Sequence, residues 1–432
     1  MNYQAIKNED PEVFAALTGE AKRQSEGMEL IPSENYVFPA VLEALGSIFT
    51  NKYSEGYPGK RYYGGQEFTD QVESLAIERA KQLFKSDHAN VQPLSGSPMN
   101  QAVYLGLLKP GDAIMGMDLT HGGHLTHGHP VSHMGKLFNW VRYKTHPEDK
   151  GRIDFDELLR AAKEHKPKII LCGYTSYPRD LDYAAFKRVA DEVGAFTMAD
   201  VAHFGGLIAG QAMKNPFDFG FDIITTTTHK TLRGPRGGMV LTKGKVGNPL
   251  KEVEITRENL PTVIDRSVFP GLQGGPHMNT IAAIAVMLKE DSQPEFKIYA
   301  QQVLKNAQAL ASALLEQGAK LVTGGTDNHM MVIDTMTSFE LPGSDVEKIL
   351  DSVGITTNKS PIPDDPRPPF KPSGLRLGTP AMTTRGLKEE DLKNIGSWIV
   401  EAIKAREDKT KLEQIKSKVK EMALVHPVPG IE

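Results

Sequence analysis

Four short apolar runs, at residues 168–172, 195–199, 221–224 and 239–242, mark the middle of this 432-residue chain. A helical pattern from Tyr183 to Val193 separates the first two. Runs this short and this apolar read as strands buried on both faces, and strand alternating with helix selects an α/β fold. The expected core is a mostly parallel central sheet with helices on both faces. Ligands of such a sheet are met beyond the carboxyl ends of its strands, so the turns leaving those ends are where chemistry is sought.

Two of these turns carry reactive groups. The stretch Thr225-Thr226-Thr227-Thr228-His229-Lys230-Thr231-Leu232-Arg233-Gly234-Pro235-Arg236-Gly237-Gly238 follows Phe221, Ile223 and Ile224 and precedes Met239, Val240 and Leu241. One lysine, Lys230, therefore sits on a glycine-rich turn between two buried strands. An ammonium leaving water there must be paired or neutralised, and a neutral amine attacks carbonyl groups. Read alone, the stretch also suits an exposed loop lysine. Upstream, Ala195-Phe196-Thr197-Met198-Ala199 ends in Asp200, with His203 close behind. Read alone, Asp200 also suits a helix cap. The pair answers what pyridoxal phosphate requires, a lysine for its aldehyde and a carboxylate that keeps its ring nitrogen protonated.

Other segments add candidates. Val91-Gln92-Pro93-Leu94-Ser95-Gly96-Ser97 runs a short strand into a helix, whose first amides and hydroxyls suit a phosphate. A nucleotide P-loop motif is missing. The loop from Asn51 to Gly65 holds four tyrosines, Glu55 and several glycines, which suits ligand contact or a subunit interface. Histidines cluster at His121, His124, His127, His129 and His133, with no Asp or Glu among them and with Gly122, Gly123, Gly128 and Pro130 breaking the segment. That spacing favours an imidazole face against an aromatic ring over a zinc site, and no metal is expected. Phe269 to Pro276 is a second glycine-rich turn, and Arg376 stands in a short apolar strand, where a guanidinium needs a carboxylate to grip.

Formal charge is −4, which gives no general attraction to nucleic acid or acidic membranes. Cys172 is the only cysteine, so no internal disulfide and no cysteine-based zinc site can form. The first ten residues lack the apolar core of a signal peptide, and no run approaches the roughly 20 apolar residues of a spanning helix. A soluble cytoplasmic protein is expected. Changes in pattern divide it into an N-terminal arm (1–50), a large cofactor-binding α/β domain (51–280) and a small C-terminal α+β domain (281–432).

The chain resembles serine hydroxymethyltransferase over nearly its whole length. The likeness rests on Thr225 to Gly238, Asn51 to Gly65, Met117-Asp118-Leu119 with His121 to Gly128, Phe269 to Pro276, and Gly324-Gly325-Thr326-Asp327-Asn328-His329. It implies the type I fold of pyridoxal phosphate enzymes, with the cofactor covalent at Lys230 and its pyridinium paired with Asp200. It implies His124 stacked on the ring, His203 and Thr175 near the ring oxygen, and Ser95, Gly96, Ser97 and His229 on the phosphate. Tyr53, Glu55, Tyr63 and Gly275 would reach the site from a partner chain in an obligate homodimer, with a tetramer as a further option. Arg376 with Ser33 would hold the amino-acid carboxylate, Glu55 would transfer the hydroxymethyl proton, and Leu119 with Gly123 would border the folate.

The activity implied is reversible conversion of L-serine and tetrahydrofolate to glycine and 5,10-methylenetetrahydrofolate. Ser360, Pro368, Pro98-Met99, Thr175 and His133-Met134 depart from the family's usual residues. Ser360 and Pro98 motivate the alternative, an aldolase or hydroxymethyltransferase for an α-substituted or β-hydroxy amino acid.

Overall fold

The structure, a computed structural model, describes residues 3–146, 149 and 151–431. Packing divides it into two units, Ala40–Gln301 and Met1–Pro39 with Gln302–Glu432. The borders at 39/40 and 301/302 stand beside the expected 50/51 and 280/281. Met28–Glu29 lies parallel to Ile355–Thr356, so the leading residues fold with the C-terminal ones, while Asn279 Nδ2, donating to the Leu45 carbonyl at 2.9 Å, ties the residues after 39 to the larger unit and accounts for the first offset. Packing of the Met278–Asp291 helix against the Glu67–Phe84 helix explains the second.

The larger unit is built on seven strands: β1 (His88–Asn90), β2 (Ala113–Met117), β3 (Asn139–Tyr143), β4 (Ile169–Gly173), β5 (Phe196–Asp200), β6 (Ile223–Thr227) and β7 (Gly238–Thr242). Their order across the sheet is β1-β7-β6-β5-β4-β2-β3. Neighbours from β6 to β3 are parallel, and β7 alone runs antiparallel to both of its neighbours. β4, β6 and β7 are buried along their whole length, which accounts for their continuous apolar or threonine-rich sequence.

Local signals set the flanking helices. Asp182 caps Tyr183–Val193 by accepting from the Ala185 amide, and Gly194 ends that helix at φ 70°. Asp154 likewise accepts from the Asp156 and Glu157 amides to start Phe155–His165. The core of this unit joins the helix Gly96–Leu107 to the sheet through Met99, Val103, Ile114, Leu171, Met198 and Val240.

The smaller unit holds an antiparallel sheet of Met330–Asp334, Gly374–Gly378 and Asn358–Ser360, with Gly374–Gly378 central. Glu389–Lys404 and Lys409–Val425 close its core with Ile395, Ile399, Ile415 and Val419. The basic stretch of the last helix is thus a solvated face above a buried stripe. Among the described residues no helix is long and apolar enough to cross a membrane.

Candidate active site

Chain direction is what assembles the site. β2, β4, β5 and β6 are adjacent and parallel, so their carboxyl ends share one edge of the sheet. Met117 leads into Leu119, Gly123 and His124; Gly173 leads into Thr175; Asp200 leads into His203; and Thr227 leads into His229 and Lys230. Successive connections reverse direction between β2 and β4, which is where an open α/β sheet forms its crevice.

Asp200 is the last residue of β5, paired in register with Gly173 on one side and Thr225 on the other. Only glycine fits beside it, because Gly173 has φ +131° and a Cβ there would lie 2.1 Å from the Asp200 carbonyl oxygen. Its Oδ2 accepts from Asn100 Nδ2 at 2.8 Å and faces His127 Nε2 at 3.0 Å. Its Oδ1 accepts from the Ala202 amide at 3.1 Å. Burial works to raise this carboxyl, but the hydrogen bond and charge of His127, with His124 and Asn100, outweigh it and hold the group below the usual carboxylate range. Asp200 is therefore a buried carboxylate whose neighbours favour the anion.

Asn100 is placed by the helix that begins just after Ser95. Its Nδ2 also reaches Thr126 Oγ1 at 2.9 Å, and its Oδ1 accepts from Thr225 Oγ1 at 2.9 Å. Thr126 Oγ1 in turn stands 2.7 Å from His124 Nδ1, and the His124 and His127 rings meet edge to face at 5.7 Å. Asn100, Thr126 and His127 thus complete the setting of Asp200, a partnership that sequence spacing marks only weakly. The available signal was Asn100 following the Ser95-Gly96-Ser97 turn by one helical turn.

The lysine turn is tightly drawn. Thr228 donates to the Pro235 carbonyl, the Gly234 amide donates to the Thr228 carbonyl at 2.8 Å, and Arg233 takes φ +57°. Lys230 Nζ donates to Thr227 Oγ1 at 3.1 Å, and Thr227 Oγ1 donates to the Ala202 carbonyl at 3.1 Å. This chain of bonds joins the lysine to the segment after Asp200. Thr231 Oγ1 adds a second link by donating to the His203 carbonyl at 3.1 Å.

Burial, with the charges of Lys230 and Arg236, pulls the His229 imidazole down to about 3. Its ring is neutral, and its Nδ1 is buried with no hydrogen-bond partner among the described residues. A buried ring nitrogen without a partner is costly unless a ligand supplies one. Near it in the fold, Gly96 faces Thr227, whose Cγ2 would lie 3.0 Å from a Cβ added at position 96. Ser95 precedes the Gly96–Leu107 helix without a side-chain cap bond. The donor set fits an aromatic, anionic ligand carrying an aldehyde: an amine, a buried carboxylate, an orphaned imidazole nitrogen and a serine-rich helix start.

A second cluster forms around the tyrosine loop. Tyr53 and Tyr63 meet edge to face at 5.0 Å, and Tyr53 Oη stands 3.4 Å from Glu55 Oε1. The Glu55 charge raises the exposed Tyr63 phenol. Gly275 adjoins the same group, since a Cβ there would lie 3.0 Å from the Tyr53 ring. Leu119 and Gly123 lie after β2, where Thr175 Oγ1 donates to the Gly123 carbonyl at 2.9 Å.

In the smaller unit, Arg376 lies on Gly374–Gly378, and its Nε donates to Asn358 Oδ1 at 3.1 Å. Burial lowers its guanidinium to about 10. Ser33 lies in a half-buried turn shortly after Met28–Glu29.

The chain is similar to known proteins over nearly its whole length. The family profile for serine hydroxymethyltransferase matches residues 6–399. A serine hydroxymethyltransferase of Xanthomonas campestris pv. campestris is 51% identical over 425 residues, which is 98% of each chain. One from Acidobacterium capsulatum is 50% identical over 99% of this chain and 96% of its own. One from Desulfotalea psychrophila is 50% identical with the same coverage.

Proposed function

The chain belongs to the serine hydroxymethyltransferase family, and from that premise we propose that it interconverts L-serine and glycine, with tetrahydrofolate taking and returning the one-carbon unit. It is an enzyme of the pyridoxal phosphate-dependent, type I class. The observation that carries the reading is Asp200, a buried carboxylate held anionic at the same sheet edge from which Lys230 departs.

Pyridoxal phosphate, when bound, supplies an electron sink for the pair released as the serine Cα–Cβ bond breaks. Lys230 would hold its aldehyde carbon. Asp200 would keep a proton on its ring nitrogen, and the bonds from His127 and Asn100 keep that carboxylate from turning away. His124 would cover the ring, with His203 and Thr175 near its oxygen. Ser95, Gly96, Ser97 and the orphaned nitrogen of His229 would take the phosphate.

Arg376 would grip the substrate carboxylate, which fixes the orientation of the bond to be broken, and Ser33 would assist. Glu55 would hold and move the proton of the serine hydroxyl. Leu119 and Gly123 would border the folate. Tyr53, Glu55, Tyr63 and Gly275 form one cluster, which supports their acting as a unit. Their service to a partner chain in a homodimer, or a tetramer built from it, belongs to the same proposal, as does a cytoplasmic setting.

The test is formation of methylenetetrahydrofolate from serine, set beside turnover of α-methylserine and of allo-threonine. Folate-dependent use of serine supports the reading. Good allo-threonine cleavage with no response to folate would replace it with an aldolase.

A further inference from the structure

The loop carrying Glu55 is anchored by a buried polar truss. The Arg61 side chain is 3% exposed, and its Nε donates to Asp70 Oδ1 at 2.8 Å. Its Nη1 donates to the carbonyl oxygens of Ser54 at 2.8 Å and Gly56 at 2.9 Å. Those two residues flank Glu55. Its Nη2 donates to Glu73 Oε2. Burial pushes the Glu73 carboxyl up, and Arg61 and Gln92 work against that push.

The truss continues toward the serine-rich turn. Gln92 Nε2 donates to Glu73 Oε1 at 2.7 Å and to the same Gly56 carbonyl at 3.0 Å. Gln273 Nε2 donates to the Gln92 carbonyl at 3.0 Å, and Gln273 Oε1 accepts from the Leu94 amide at 3.1 Å, one residue ahead of Ser95. Gly56 has no slack of its own: its φ is +98°, and a Cβ there would lie 2.3 Å from the Lys60 carbonyl oxygen.

Stability alone is a poor reason for such a pair. Burying two charges costs about what their attraction returns, and apolar replacements are often neutral or stabilising. A guanidinium, however, can hold two carbonyls and two carboxylates at once in a fixed plane, which neither an apolar chain nor an ammonium can do. We infer that Arg61 is a positioning residue for Glu55, and that Glu73 and Gln92 tie this position to the turn at Ser95. The inference rests on the reading of Glu55 as the proton-transfer group. A carboxylate whose peptide units are clamped on both sides does not have to be reoriented during reaction.

Arg61→Lys keeps the charge facing Glu73 and loses the fork. The decisive measurement is the titration of Tyr63 in holoenzyme labelled with 13C at the tyrosine Cζ, its resonance identified by its loss in Tyr63→Phe. Because the Glu55 charge raises this phenol, Arg61→Lys is expected to move its titration toward lower pH, the direction also expected of Glu55→Gln. Serine turnover is expected to fall about tenfold in Arg61→Lys, and less than twofold when the same change is made on Glu55→Gln. Gln92→Leu, which removes one donor to Gly56 and leaves Arg61 in place, is expected to shift Tyr63 in the same direction and covers the case in which Arg61→Lys does not fold. A Tyr63 titration unchanged in the folded variants overturns the inference. The resonance needs no turnover, so a chain inactive on serine would sink the reading of the site and leave this measurement decisive.

Discussion

His127 Nε2 lies 3.0 Å from Asp200 Oδ2, with both side chains no more than 7% exposed. The histidine thus reinforces a buried carboxylate proposed to keep a cofactor ring nitrogen protonated, and it does so from 73 residues away in sequence. His127→Ala should leave a buried charge short of one partner and lower stability by roughly 3 kcal/mol. His127→Asn keeps a donor and should lose less. Calorimetric melting of the two variants checks the order, and equal melting temperatures would show that the contact carries no weight.

Much of the scaffold is legible in the sequence, because what sets it is local. The apolar runs at 195–199 and 221–224 give β5 and β6, and the turns after them give Asp200 and Lys230. What sets the environment of Asp200 is long-range. Asn100 and His127 arrive from a helix and a loop whose periodicity says nothing of the strand they meet. The helix at 67–84 shows the same limit. Its apolar pattern of Val72, Leu75, Ala76, Ala80 and Leu83 leads one to expect Leu75 buried, yet Leu75 is 43% exposed while Glu73 is wholly buried. Arg61 and Gln92 repay the burial of Glu73, and neither is its helical neighbour. The pairing of β7 with β1 and that of Met28–Glu29 with Ile355–Thr356 are likewise decided by partners distant in sequence.

Arg376 is half-buried, bonded to Asn358, and proposed to hold the substrate carboxylate. Arg376→Ala should raise KM for serine by a hundredfold or more, about 3 kcal/mol, with cofactor still bound. Arg376→Lys should rescue little, since an ammonium cannot grip both oxygens. Steady-state kinetics decide the point, and an unchanged KM in either variant would remove Arg376 from the site.

The depressed His229 imidazole gives a pH signature. Its folded-state value of about 3 lies below the ordinary 6.5, so between these values the unfolded chain binds a proton that the folded chain does not. The stability due to the neutral ring is whole above pH 6.5 and is lost as pH falls toward about 3, at up to about 1.4 kcal/mol per pH unit. Urea unfolding of cofactor-free protein across that window should show a shallower pH slope in His229→Gln than in the parent. Identical slopes would mean that the ring protonates freely in the folded state.

Glu55→Gln should leave the cofactor spectrum intact and slow hydroxymethyl transfer by roughly a hundredfold, the usual scale of general acid–base assistance. Single-turnover transfer from serine to tetrahydrofolate measures this step. A normal rate would reassign the proton to another group.

A pyridoxal phosphate site formed by Lys230 and Asp200 and coupled to folate would show itself in the visible spectrum of the purified protein titrated with glycine and then with tetrahydrofolate. A coloured protein is expected, whose glycine complex gains an intense new visible band when tetrahydrofolate is added and whose own visible band is lost in Lys230→Ala. A colourless parent, or a glycine complex indifferent to tetrahydrofolate, would contradict it.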